Sequence, residues 1–344
     1  MTLPEVVLSI MFVGLIAYGL FGGADFGAGI WDLLAGGTRH GAPQRALIER
    51  SIAPVWEANH VWLIFVLVIL WTAFPGAFAA VVTTLYIPLT LAAFGMIARG
   101  AAFAFRKSTT TLGMRRFLGA SFALSSLVTP YFLGAVVGGV ASGRVPPGIA
   151  AGDVLASWIN PTSVLGGVLA VLVCAYLAAV FLCADARREG ADDLAAQFRM
   201  RALGTAAVTG LVGVGGLFVL RADAPELFDR LTGRAAPVVG LSVLAGLAAT
   251  VLLGRRQYAL ARVASALAVA AILLGWAVGQ YPYLLLPELT IEEAAGGRAT
   301  LTALVVALVG GSVILLPALV YLYVLFQRGP RPPAPTVSGR RVAR

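Results

Sequence analysis

Nine long apolar runs, most of about twenty residues or more, thread this chain, and they constrain its fold more than any other feature. As a helix, each is long enough to cross a hydrocarbon layer of roughly 30 Å. Bounded by charges, prolines or glycine clusters, the runs are 5–35, 55–74, 77–105, 116–142, 161–184, 200–220, 236–254, 259–284 and 301–326. The first is the longest and is glycine-rich at its far end, so it is expected to tilt or protrude. Composition closes off the soluble alternative. Of 344 residues, 59% are hydrophobic and 12% charged, against roughly a quarter charged in soluble domains. No soluble core absorbs that much apolar surface. The pattern predicts an all-α integral membrane protein of about nine transmembrane helices.

The connections set the expected orientation. With the N-terminus outside, the inner segments hold nineteen Lys and Arg and the outer segments five, while Arg99 lies within a span. That asymmetry is the positive-inside signal and places the C-terminus in the cytoplasm. It also accounts for the net charge of +9. A basic face meets anionic membrane lipid, and no nucleic acid partner is implied. Residues 1–5 carry no Lys or Arg, and the following run outlasts a signal-peptide core, so a retained helix is expected. Residues 329–344, rich in Pro and Arg, read as a disordered basic cytoplasmic tail.

A duplication is visible inside the helical pattern. The first run ends Phe-Gly-Gly-Ala-Asp at Asp25, and the fifth ends Phe-Leu-Cys-Ala-Asp at Asp185. The fourth contains Pro130-Tyr-Phe-Leu and the eighth Pro282-Tyr-Leu-Leu, so the two offsets are 160 and 152 residues. The expected organisation is a four-helix repeat over 1–142, a second over 143–298, a ninth helix over 299–328, and the tail. An even number of spans gives both repeats one orientation, with the symmetry axis along the membrane normal.

Ionisable residues at membrane depth cost about 2.5–3.5 kcal/mol each, which makes them functional candidates. Asp25 lies 20 residues from the start of the first run, about 30 Å along a helix. Arg99 lies 22 residues into the third, about 33 Å along by the same rise. Glu57 opens the second run from the other side. All three fall at one level near the cytoplasmic boundary. Two carboxylates and a guanidinium there form a polar inlet for protons, or else a salt-bridge cluster that only orients three helices. For Arg99 itself the bland alternative is a side chain that snorkels to the interface.

The segment Ser51-Ile-Ala-Pro-Val-Trp-Glu-Ala-Asn-His-Val-Trp-Leu63 and the earlier Gly22-Gly-Ala-Asp-Phe-Gly-Ala-Gly29 closely resemble subunit II of cytochrome bd-type terminal oxidases. The resemblance is strongest over residues 1–107 and continues in helix count along nearly the whole chain. It implies a haem-free subunit paired with a larger, homologous subunit I that carries haems b and d and the quinol site. Such a complex oxidises quinol and reduces oxygen to water in a prokaryotic plasma membrane. It leaves room for small single-helix subunits. It also implies that Asp25 and Glu57 belong to the cytoplasmic proton path, with Trp56, Asn59, His60 and Arg99 as a supporting polar cluster. This chain has Glu57 where some members carry Asp, Gly22 where some carry a further acid, and His60 where some carry Gln. The last two departures bear on the water chain.

Other residues agree with a cofactor-free chain. Two histidines, His40 and His60, and five methionines make it poor in axial haem ligands. No CxxCH, phosphate-binding loop or metal-site spacing is present. Cys174 and Cys183, nine residues apart in one apolar run, are too distant for a disulfide. Trp56, Trp62 and Trp71 lie near helix ends, where an aromatic belt is expected. Gly23 with Gly27, and Gly134 with Gly138, are small-residue pairs that permit close helix contact. A second functional class fits the same features: a proton-coupled secondary transporter built from two four-helix repeats. Few charges lie within the second half's spans, which disfavours a midplane site between repeats.

Overall fold

The structure is a computed structural model that describes residues 1–37, 41–52, 56–106 and 111–328. His40 and the tail from 329 lie outside the described residues. Among the described residues, nine helices are long and apolar enough to cross a bilayer. A backbone in lipid must satisfy its own hydrogen bonds, and helices do so within one segment.

The first span is continuous but changes pitch. α1 (Leu3–Ala17) starts with a reciprocal cap, in which the Thr2 side chain accepts from the Glu5 amide and the Glu5 carboxylate accepts from Thr2. A widened π-type turn, Tyr18–Gly22, leads directly into α2 (Gly23–Leu33). α3 (Ala42–Ile52) is a short polar helix, and α4 (Trp56–Ala73) is the second span. The third apolar run is not one helix, contrary to expectation. α5 (Pro75–Thr84) stops, Leu85 bends, and α6 (Tyr86–Arg106) resumes. Pro88 supplies the reason. It has no N–H for the Thr84 carbonyl, and its ring crowds that position.

α7 (Leu112–Ala141) runs through Pro130 without ending, and α8 (Pro161–Arg188) is capped by Asn160, which accepts from the Ser163 amide at 2.8 Å. α9 (Asp192–Asp223) is longer than its apolar stretch, and α10 (Pro225–Thr232) is a short helix beyond it. α11 (Ala236–Gly254) and α12 (Tyr258–Gln280) form an antiparallel pair. The expected eighth run to residue 284 is corrected here, because α12 ends at Gln280 and Pro282 lies outside it. Two short antiparallel strands, β1 (Tyr283–Leu285) and β2 (Leu289–Thr290), and one turn of helix, α13 (Ile291–Ala294), follow. The last span is α14 (Arg298–Arg328).

Helix α8 is the hub, packing against α2, α7, α9 and α12. Leu177, Ala179, Val180, Cys183 and Ala186 along it are completely buried. Lipid tails are as apolar as leucine, so close packing rather than water exclusion joins the helices. A Cβ on Gly27 would lie 1.8 Å from the Cys174 carbonyl oxygen, which makes the α2–α8 crossing a backbone-to-backbone contact. Gly134 and Gly166 meet the same way, each with a Cβ position about 2.5 Å from the other's carbonyl oxygen. At the α1 end the hairpin and α13 cover the bundle, where Leu285, Ile291 and Ala294 bury against Val7, Met11, Phe74 and Leu85. The Tyr281 hydroxyl donates to Glu5 at 2.8 Å and ties this cover to α1. α14 is held only near its start, through Leu301, Leu304, Val305 and Leu308. Beyond that, Val309, Val313, Ile314 and Tyr321 are exposed.

Candidate functional site

Asp25 sits in the first turn of α2, just past the π-type turn, and is 3% exposed. Arg99 reaches it from α6. One guanidinium nitrogen donates to Asp25 Oδ1 at 2.8 Å and to the Asp25 backbone carbonyl at 2.8 Å. The other donates to Ser126 on α7, whose hydroxyl donates in turn to the Phe122 carbonyl at 2.6 Å. The guanidinium also lies 4.9 Å from the Phe26 ring centroid and 4.4 Å from that of Phe122. Arg99 is 1% exposed, so it does not snorkel. The fork of a guanidinium suits three acceptors on two helices, which a point-charged lysine does not match.

Local sequence makes room for this pair. Gly29, one turn after Asp25, would place a Cβ 2.1 Å from Ser126 Oγ and 2.8 Å from the Arg99 guanidinium. The glycine-rich helix end is therefore the groove in which the arginine lies. Burying two charges costs several kcal/mol per ion before their attraction is counted, so such a pair is poor cement by itself. Its second oxygen is more telling. Asp25 Oδ2 is buried with no hydrogen-bond partner.

α4 brings the other expected residues, and it divides them. Asn59 is 2% exposed and faces inward, its amide nitrogen donating to the Phe21 carbonyl of the π-type turn at 3.3 Å. Its Oδ1 is also buried without a partner. His60 is half-buried among rings, with centroids 5.9 Å from Phe26, 6.2 Å from Tyr18 and 6.5 Å from Trp56. Trp56 packs on Phe103 at 4.9 Å. Glu57 instead points outward and is exposed, and it forms no ion pair among the described residues. The expected three-membered cluster of Asp25, Glu57 and Arg99 is therefore corrected. Asp25 and Arg99 form a buried pair, and Glu57 stands apart because its helix turns it away. Val61, Ile64, Val68 and Trp71 continue its exposed face at helical spacing.

Sequence does not single out Ser126, and it marks Gly29 only as the end of the Gly22–Gly29 segment. The serine pair Ser125-Ser126 within an apolar run was the available signal, and only packing distinguishes the one that meets Arg99. Asp185, near the end of α8, is more open than Asp25 and pairs with Arg188 and, at 3.4 Å, Arg262.

An apolar cavity of about 1240 Å³ is lined by residues of α1, α4–α7, α12 and β1, with Arg234 and Tyr281 also in its lining. Among the described residues, no cluster of three or more His, Cys, Asp or Glu side chains has metal-binding geometry.

The sequence model described as cytochrome bd terminal oxidase subunit II matches residues 3–326. A Bacillus subtilis (strain 168) protein named putative cytochrome bd menaquinol oxidase subunit II is 22% identical over 342 residues, covering 95% of this chain and 96% of its own. Cytochrome bd ubiquinol oxidase subunit 2 of the same organism is 28% identical over 170 residues, a match that spans 49% of this chain and about half, 48%, of that relative. Among solved structures, a chain of the bd oxidase from Geobacillus thermodenitrificans superposes with a TM-score of 0.74 at 28% identity, covering 95% of this chain and 99% of that one.

Proposed function

The chain belongs to the cytochrome bd terminal oxidase subunit II family, and from that membership we propose that it serves as the haem-free subunit of an oxidase that oxidises quinol and reduces oxygen to water. Haems b and d are carried by the partner subunit I. This chain contributes structure and a path for protons drawn from the cytoplasm. One observation carries the reading: a carboxylate buried at membrane depth has one oxygen held by Arg99 and the other unpartnered. A purely structural ion pair has no use for an open oxygen, whereas a proton carrier needs one.

Glu57 supports the same reading from the surface. A carboxylate on the outer face at the end of a span is costly to leave facing lipid without a partner. The face it shares with Val61, Ile64, Val68 and Trp71 is accordingly the one that meets subunit I, which presents a hydrogen-bond donor or cation opposite Glu57. The remaining apolar surface of α14 meets lipid or small single-helix subunits. The Lys and Arg asymmetry puts the Asp25 end of the bundle on the cytoplasmic side.

The test uses the intact oxidase with oxygen consumption normalised to haem. Asp25→Asn and Glu57→Gln keep size and hydrogen bonding but carry no exchangeable acid proton. Each is expected to slow turnover per haem by about a hundredfold, the lower end of what a lost acid–base group costs. Haem content should stay near wild type, and Glu57→Asp should retain much more activity. Wild-type turnover per haem in both neutral variants refutes the proton role.

A further inference from the structure

Arg99 divides its fork between two helices instead of closing it on one carboxylate. One terminal nitrogen donates to Asp25 Oδ1 and to the Asp25 backbone carbonyl, each at 2.8 Å. The other donates to the Ser126 hydroxyl, and Asp25 Oδ2 receives no bond. A guanidinium beside a carboxylate frequently bonds both oxygens in parallel. Here α7 takes the second prong. The role of the serine is fixed by its neighbours. A guanidinium has donors only, so the Ser126 hydroxyl must accept from it and place its own hydrogen elsewhere. That hydrogen goes to the Phe122 carbonyl one turn back, at 2.6 Å. The site is also crowded. Ser126 is completely buried, and a Cβ on Gly29 would lie 2.1 Å from its oxygen and 2.8 Å from the guanidinium. The rings of Phe26 and Phe122, with centroids 4.9 and 4.4 Å away, limit how the guanidinium can turn.

We infer that Ser126 is a positioning residue for the proton step at Asp25: by drawing one nitrogen of Arg99 to α7, it holds the guanidinium on a single carboxylate oxygen and leaves Oδ2 free. The inference rests on the proton role proposed for Asp25. In the step, the O–H bond forms and breaks at Oδ2 alone, and neither Ser126 nor Arg99 changes protonation. Without the hydroxyl, the released nitrogen turns to Oδ2 and closes the fork. Each proton taken up there must then first break a hydrogen bond between charged groups. Ser125 is the matched control. It is 4% exposed, and its hydroxyl also donates to the Phe122 carbonyl, at 2.9 Å. Among the described residues, no hydrogen bond joins it to Arg99.

The test uses the intact oxidase, with oxygen consumption normalised to haem. Ser126→Ala is expected to assemble with full haem content and to turn over about tenfold more slowly. That is the lower end of what one further charge-assisted hydrogen bond imposes when it must be broken. It should also shift the infrared carboxylate bands that Asp25→Asn removes, whereas Ser125→Ala should match wild type in both respects. Wild-type turnover in Ser126→Ala alongside a slow Asp25→Asn overturns the positioning role. Equal slowing in Ser125→Ala, or slowing in Ser126→Ala with unchanged Asp25 bands, overturns it too. Wild-type turnover in Asp25→Asn overturns instead the proton role beneath it. Should Ser126→Ala fail to assemble, a high-resolution map of the wild-type oxidase decides. Arg99 on both oxygens of Asp25 overturns the inference, and Arg99 shared between Oδ1 and Ser126 upholds it.

Discussion

Arg99 carries a full charge into a position where 1% of its surface is exposed, and three oxygens and two aromatic rings receive it. Breaking a buried pair by removing one partner costs about 3–5 kcal/mol, because the other charge stays behind. Arg99→Leu is therefore expected to lower the thermal midpoint and the yield of assembled complex more than Asp25→Asn, which leaves an amide oxygen for the guanidinium. The double variant Arg99→Leu with Asp25→Leu removes both charges. It should recover much of the assembly lost in Arg99→Leu, measured as complex yield and haem content, and still turn over slowly. Recovery of turnover along with assembly would mean that the pair is structural only.

At the scale of elements, the helix crossings rest on missing side chains. The α2–α8 contact leaves no space at Gly27, since a Cβ would sit 1.8 Å from a carbonyl oxygen that belongs to rigid backbone. Gly27→Val is expected to force the two helices apart and to abolish assembly, read as loss of the complex on size exclusion. Gly213 on α9 has nothing within 4 Å of a Cβ position, so Gly213→Ala should assemble normally. Equal behaviour of the two variants would remove the close crossing. The crossing matters to the site as well, for α2 is the helix that carries Asp25. The π-type turn above it lets α1 and α2 follow one path while offering the Phe21 carbonyl to Asn59. Such turns recur at functional positions in helices.

For the whole molecule, the proposed duplication makes a geometric claim. Superposing the first four spans on the next four is expected to bring Asp25 near Asp185 and Pro130 near Pro282. Separation of either pair by more than about 11 Å, two helical turns, removes the repeat. The two environments differ, with Asp25 enclosed and Asp185 partly open between two arginines. Expressed alone with haem supplied, the chain is expected to purify without colour. A stoichiometric haem lost on replacing His60 would contradict that.

How much was legible from sequence follows from which interactions are local. Nine spans, their all-α class and the positions of Asp25 and Arg99 along them are read directly, because hydrophobic length and helical rise depend on neighbours in the chain. The family likeness was carried by two short segments for a similar reason: glycines and acids at fixed local spacing mark a helix end that must lie against something. Which way a side chain faces is not a local property. Glu57 and Asn59 are two positions apart on one helix, and only the packing of α4 against α1 and the π-type turn set the asparagine inward and the glutamate outward. The break at Leu85 had a local cause in Pro88. The partnership of Arg99 with Ser126 had none, since it depends on α6 and α7 meeting at one level. Periodicity determined a membrane bundle with an acid near one end of its first span. Tertiary contact decided that Arg99 grips this acid, because only the folded bundle brings α6 against the start of α2 at one level.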